Sequence, residues 1–152
     1  MLLCEIKSSV PYTWTKQSDD EYEAEFMIEN QFYRTRFLLI STTKDPYWVV
    51  EFQLVNGKTT DEYGNRGYGD EDVGGSPTVF GIVLKLINEW FTKVNPGYVK
   101  FEAKTPKRKE LYNKILQRIK KPNWKIKLIS IGEATSFEIR IVNPRKKILG
   151  LF

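Results

Sequence analysis

The sequence predicts a mixed α/β fold in a single domain: an N-terminal antiparallel meander, then α-β-α, then a C-terminal hairpin. Three observations carry this. Residues 21–55 alternate apolar with polar side chains; two later stretches, each opened by Ser-Pro or Thr-Pro, space apolar residues as a helix does; and Tyr98 to Ala103, between them, alternates again. A chain of 152 residues, 41% hydrophobic and 14% aromatic, has the material for one sizeable core, and neither a repeat nor a linker divides residues 1–152.

Leu2 to Lys7 reads as a short strand and Ser8 to Asp20 as a polar connection. Tyr22, Ala24, Phe26 and Ile28 then alternate with Glu21, Glu23, Glu25 and Glu29, which puts the apolar set on one face of a half-buried strand and the acids on the other. Glu29-Asn30-Gln31 is a tight turn, so Tyr33 to Ser41 returns as the second arm of a hairpin. Asp45-Pro46 marks the next turn, and Tyr47 to Val55, rich in aromatic and β-branched residues, is a third meander strand ended by Asn56-Gly57. Residues 57–75 hold Gly57, Gly64, Gly67, Gly69, Gly74 and Gly75 among many acids; so polar a segment reads as a long loop.

From Pro77 to Val94, Val79, Phe80, Val83, Leu84, Ile87, Trp90 and Phe91 form one apolar face of a helix, stopped by Asn95-Pro96-Gly97. Tyr98 to Ala103 is the crossover strand. Thr105-Pro106 opens a second helix running to Lys120, with Leu111, Ile115, Leu116 and Ile119 as its buried stripe. Trp124 to Ile131 and Ser136 to Val142 form the closing hairpin, and Pro144 to Phe152 is a basic tail with an apolar tip.

Composition removes several chemistries. The chain has no histidine, so Ser-His and Cys-His catalysis are out, and the single Cys4 forms no internal disulfide and anchors no credible zinc site; no metal is expected. Asp70-Glu71-Asp72 lacks the alternating spacing of a calcium loop. No apolar run spans a bilayer and the first residues lack a signal-peptide pattern, which points to a cytoplasmic protein without membrane contact. The net charge of +5 is uneven: residues 1–76 carry 7 Lys+Arg against 14 Asp+Glu, and residues 77–152 carry 17 against 5. Either the halves neutralise each other in the fold or a basic face is left for nucleic acid, with Lys107, Arg108, Lys114, Arg118 and Lys121 as its contacts.

Gly74, Gly75 and Ser76 before Pro77 make a second candidate site. The glycines let a ligand approach the backbone, and the first N–H groups of the helix are unpaired donors carrying partial positive charge, the geometry of an anion site.

From its second strand onward this order of elements resembles the GNAT acyltransferase superfamily, which joins an antiparallel meander to a phosphate-binding loop, a helix, a strand, a helix and a closing hairpin. Leu111-Tyr112-Asn113-Lys114 resembles the family's Leu-Tyr-x-Lys, and the resemblance implies that Tyr112 is its general acid. Arg108 four positions earlier, together with the layout from Val79 to Tyr112, is similar to small tailed-phage proteins. The family's acyl-CoA loop is Arg/Gln-x-x-Gly-x-Gly/Ala, so the resemblance places the cofactor on Arg66, Gly67 and Gly69 along with Gly74, Gly75 and Ser76. Here, however, Glu71 stands where a small residue belongs, Asp70 and Asp72 repel a pyrophosphate, and the acceptor-side helices are reduced to Ser8 to Asp20. The expectation is therefore a phage-encoded GNAT-like protein without acetyl transfer and without cofactor, acting as a binding or assembly protein on a protein partner in the host cytoplasm or the virion. The alternatives are a divergent acetyl-CoA-dependent N-acetyltransferase, with Glu51 or Glu62 as base, and a basic-face nucleic-acid binder.

Overall fold

A computed structural model describes residues 11–28, 30–54 and 77–142. These residues form β1 (Thr13–Gln17), β2 (Glu21–Ile28), β3 (Gln31–Ile40), β4 (Tyr47–Leu54), α1 (Pro77–Val94), β5 (Tyr98–Ala103), α2 (Pro106–Ile119), β6 (Trp124–Ile131) and β7 (Ala134–Ile141). One seven-stranded sheet results, in the order β1-β2-β3-β4-β5-β7-β6. Every neighbouring pair is antiparallel except β4 and β5. A parallel pair needs a long crossover, and the chain between Leu54 and Tyr98, with α1 in it, supplies one.

The predicted meander, both helices, the crossover strand and the closing hairpin are all present. One element departs from expectation. Thr13–Gln17, read as part of a polar connection, is the edge strand β1, bulged between Trp14 and Lys16 where it pairs with β2. Its residues are mostly exposed, so composition offers little signal; Trp14, which packs on Tyr22 and Phe37, is the side chain that fixes it. The strand expected at Leu2 to Lys7, the loop at 57–75 and the tail from Pro144 lie outside the described residues.

Both helices lie on the same face of the sheet. Trp90 of α1 stacks on Phe37 of β3 with ring centroids 4.3 Å apart, and Tyr112 of α2 meets Phe101 of β5 edge-on at 5.2 Å. The alternation read from the sequence sets this face: Ala24, Phe26, Tyr33, Phe37, Val50, Phe52, Val99, Phe101, Phe137 and Ile139 are all buried under the helices. The intervening residues form the other face, where Glu21, Glu23 and Glu25 of β2 meet Arg34 and Arg36 of β3, with Glu51 of β4 beyond. Arg34 is 2.9 Å from Glu25, and Arg36 lies 3.4 Å from Glu21 and 3.9 Å from Glu51. Partly exposed pairs of this kind contribute about 0.2–1 kcal/mol each, so their main effect is to hold register and neutralise the acids.

Turns follow local chemistry. Asn30, at φ 66°, takes the left-handed conformation that the two-residue link from Ile28 to Gln31 requires, and Gly132, at φ 63°, does the same between β6 and β7. Asn95 at φ 50° ends α1, its N–H donating to Phe91 at 2.9 Å. At the start of α2, Thr105 Oγ1 accepts from the Arg108 N–H at 3.1 Å, with Pro106 at the first position, as the Thr-Pro pair predicts.

A clamp ties β1 to α1. The Tyr12 hydroxyl donates to Glu89 Oε1, and Trp14 Nε1 donates to Glu89 Oε2 at 2.9 Å. Burial, then the hydrogen bond and charge of Glu89, hold the Tyr12 phenol well above the ordinary tyrosine range. In the unfolded chain Tyr12 ionises near the usual value of about 10, so above that pH the unfolded state sheds a proton the folded state retains. Tyr12→Phe is expected to cost about 1.5–3 kcal/mol at pH 7, the range for a hydrogen bond to a charged acceptor. In urea unfolding the gap between wild type and variant should be constant below pH 10 and narrow above it; a gap that widens at alkaline pH rejects the clamp.

Candidate functional site

The candidate site is the opening between the two parallel strands. β4 and β5 pair only at Trp48–Val99 and Val49–Lys100, close to where both strands begin. β4 stays on β3 out to Leu54, and β5 stays on β7 out to Ala103, so beyond Val49 and Lys100 each strand follows its outer neighbour and the inner edges separate. Backbone groups along those edges have no ladder partner across the gap.

The pair is closed at its other end. Tyr47 and Tyr98 lie side by side at 5.7 Å, Lys100 Nζ sits 4.0 Å from the Tyr47 ring centroid, and the Arg140 guanidinium lies 3.7 Å from that of Tyr98. Lys100 also faces Glu138 at 3.6 Å, and Arg140 bonds Asp45 at 2.6 Å, joining the turn before β4 to β7. Burial raises the Tyr98 pKa; the Lys100 charge opposes the shift and Glu138 adds to it.

On the helix side of the opening, the Tyr112 ring packs on aromatic side chains from both strands. Its centroid is 5.7 Å from Phe52 of β4, 5.2 Å from Phe101 of β5 and 6.4 Å from Phe137 of β7. The residue is 1% exposed. Arg108, one turn earlier and 6% exposed, donates from Nη1 to the Tyr112 hydroxyl at 3.0 Å, with its guanidinium 5.6 Å from the ring centroid. Helical geometry places residues four apart on one face, so the Arg-x-x-x-Tyr spacing is the sequence signal for this pair. The hydroxyl accepts from a permanent cation and keeps one proton to donate, but it does so inside the core.

The other predicted residues divide into three groups. Arg66, Gly67, Gly69, Gly74, Gly75 and Ser76, and Glu62, lie outside the described residues. Glu51 is on the open face beside Arg36, not on the Tyr112 side of the sheet. Of the basic set, Lys107, Lys114 and Arg118 share one exposed flank of α2, where Lys114 Nζ lies 4.8 Å from the Phe80 ring centroid of α1; Lys121 follows just beyond the helix, and Arg108 is turned inward onto Tyr112. Among the described residues no three His, Cys, Asp or Glu side chains converge as metal ligands, and no helix is long and apolar enough to cross a membrane.

The clamp residue Glu89 was not singled out by sequence; it occupies a polar position of an amphipathic helix, and only the fold brings Tyr12 and Trp14 to it. Compared with protein-family models, curated proteins and solved structures, the chain finds no match.

Tyr112→Phe removes the acceptor of a buried guanidinium donor while leaving the ring in place, and should cost about 1–3 kcal/mol of unfolding free energy. Tyr112→Ala also opens a cavity between Phe52 and Phe101 and should cost about 3–5 kcal/mol. Denaturant unfolding measures both; equal costs would mean that the ring contributes no packing between Phe52 and Phe101.

Proposed function

We propose that this chain is a phage-encoded protein of GNAT-like layout that binds or assembles without transferring acetyl groups. The observation that carries the reading is the enclosure of Tyr112: the side chain that the resemblance makes a general acid packs among Phe52, Phe101 and Phe137, with its hydroxyl held by Arg108. A general acid must come within hydrogen-bond reach of the leaving group, and a hydroxyl that accepts from Arg108 on a side chain 1% exposed is not presented to one. The sequence supports the same reading from the cofactor side, because Asp70, Glu71 and Asp72 set negative charge where a pyrophosphate would bind.

One observation favours the second reading, a divergent N-acetyltransferase. The parallel pair opens toward the strand ends, and α1 and α2 both run back from that edge, so two helix N-termini, the positive ends of their dipoles, lie on the same side of the fold.

A single preparation separates the two. Purified chain incubated with acetyl-CoA and a panel of amine acceptors is expected to release no CoA above background. Acetyl-CoA is also expected to leave the unfolding transition in place, whereas a ligand at a hundredfold excess over its Kd stabilises the folded state by about 2.7 kcal/mol. Turnover that is lost in Tyr112→Phe would establish the acetyltransferase instead.

A further inference from the structure

The two edges of the sheet differ. β1, at one edge, has five residues and a bulge, features that discourage another strand from pairing there. β6, at the other, has eight residues in unbroken register with β7 from Trp124–Ile141 to Ile131–Ala134, and no proline. Among the described residues its outer backbone groups face no further strand. It also carries two of the exposed large apolar side chains, Leu128 at 52% and Ile131 at 76%. Leu128 lines a shallow depression with Pro106, Asn113 and Phe137 on the helix side, and Ile131 is on the open face.

We propose that β6 is a self-association edge, pairing antiparallel with β6 of a second copy about a two-fold axis at Leu128 to make one continuous sheet. The residue order along the strand argues for that occupant. In this register Leu128 faces its own counterpart, Lys127 faces Ile129 of the second copy, and Lys125 faces Ile131 of the second copy. Each lysine stem then covers an isoleucine, no lysine opposes a lysine, and Lys125 comes diagonal to Glu133 of the second copy. Centring on Lys127 would set that charge against itself. Centring on Ile129 would put Leu128 opposite Ser130 and leave its apolar surface uncovered. An isologous interface requires a strand complementary to its own reverse, and the Lys-x-Lys-x-Ile-x-Ile order of residues 125–131 on the open face has that property. The inference does not depend on whether the β4–β5 opening admits a ligand.

Size-exclusion chromatography with light scattering on the full chain at micromolar concentration should give twice the chain mass. Leu128→Lys combined with Ile131→Lys should give a monomer with an unchanged circular dichroism spectrum, since both side chains are already solvated. For the register, Leu128→Cys in a Cys4→Ser background should form a covalent dimer on mild oxidation, because directly opposed Cβ atoms lie about 4.5–5.5 Å apart. Met27→Cys in the same background, equally exposed but on the distant β2, should not. A wild type that stays monomeric overturns the proposal, including one that instead binds an added acidic peptide along β6. So does a dimer that survives the double lysine variant, or one in which Leu128→Cys fails to cross-link.

Discussion

The two halves of the sheet are joined by one short parallel pairing, and the rest of the structure depends on how that join is held. At one end Trp48–Val99 and Val49–Lys100 are hydrogen-bonded neighbours, secured on the open face by Tyr47, Tyr98, Lys100 and Arg140. Past that point the strands part, and on the helix side the Tyr112 ring bridges Phe52 of β4 and Phe101 of β5. Aromatic contacts of this geometry add about 0.5–1.5 kcal/mol each beyond their buried area, so three of them on one ring stabilise the fold beside the place where the ladder stops. Arg108 follows from the same arrangement. A phenol taken into the core needs a hydrogen-bond partner, and the residue one helical turn earlier supplies it.

Within the meander the acids are partly paired. The acids of β2 face the arginines of β3, and Arg36 reaches Glu21, Glu23 and Glu51. The open face of these strands keeps more acids than arginines, while the cations of the second half gather on α2 and its flanks. Lys107, Lys114 and Arg118 occupy the flank of α2 toward α1, and Lys109 the flank toward β6. The outward set is thus divided between two sides of one helix, and Arg108, the one buried arginine among the described residues, serves Tyr112.

Much of the fold was legible because its signals are local. Pro77 and Asn95 bracket α1, Thr105-Pro106 opens α2, and alternation marks β2, β3, β4 and β5, so these elements fall within a residue or two of their expected limits. β1 was not legible: Thr13, Lys16 and Gln17 carry no apolar alternation, and the strand exists through its pairing with β2 and the seat of Trp14 on Phe37. Sheet order was equally hidden. Both arms of the last hairpin alternate, and only in the fold does full burial of Phe137 and Ile139 separate β7, the inner strand, from β6 with its exposed Leu128. At the candidate site the Tyr112 motif was visible. Its enclosure was not, because an arginine four residues earlier reads from sequence as a surface cation, and only the packing of Phe52 and Phe101 around the ring turns it inward.

Arg108 and Tyr112 form one buried hydrogen-bonded unit on the helix side of the strand opening. A double-mutant cycle with Arg108→Met and Tyr112→Phe, read by urea unfolding of the full chain, tests it most directly. A coupling of about 1–3 kcal/mol is expected, with the double variant losing less than the two single variants together. A coupling near zero would contradict it, since the hydroxyl and the guanidinium would then be satisfied independently and the enclosure of Tyr112 would need another cause.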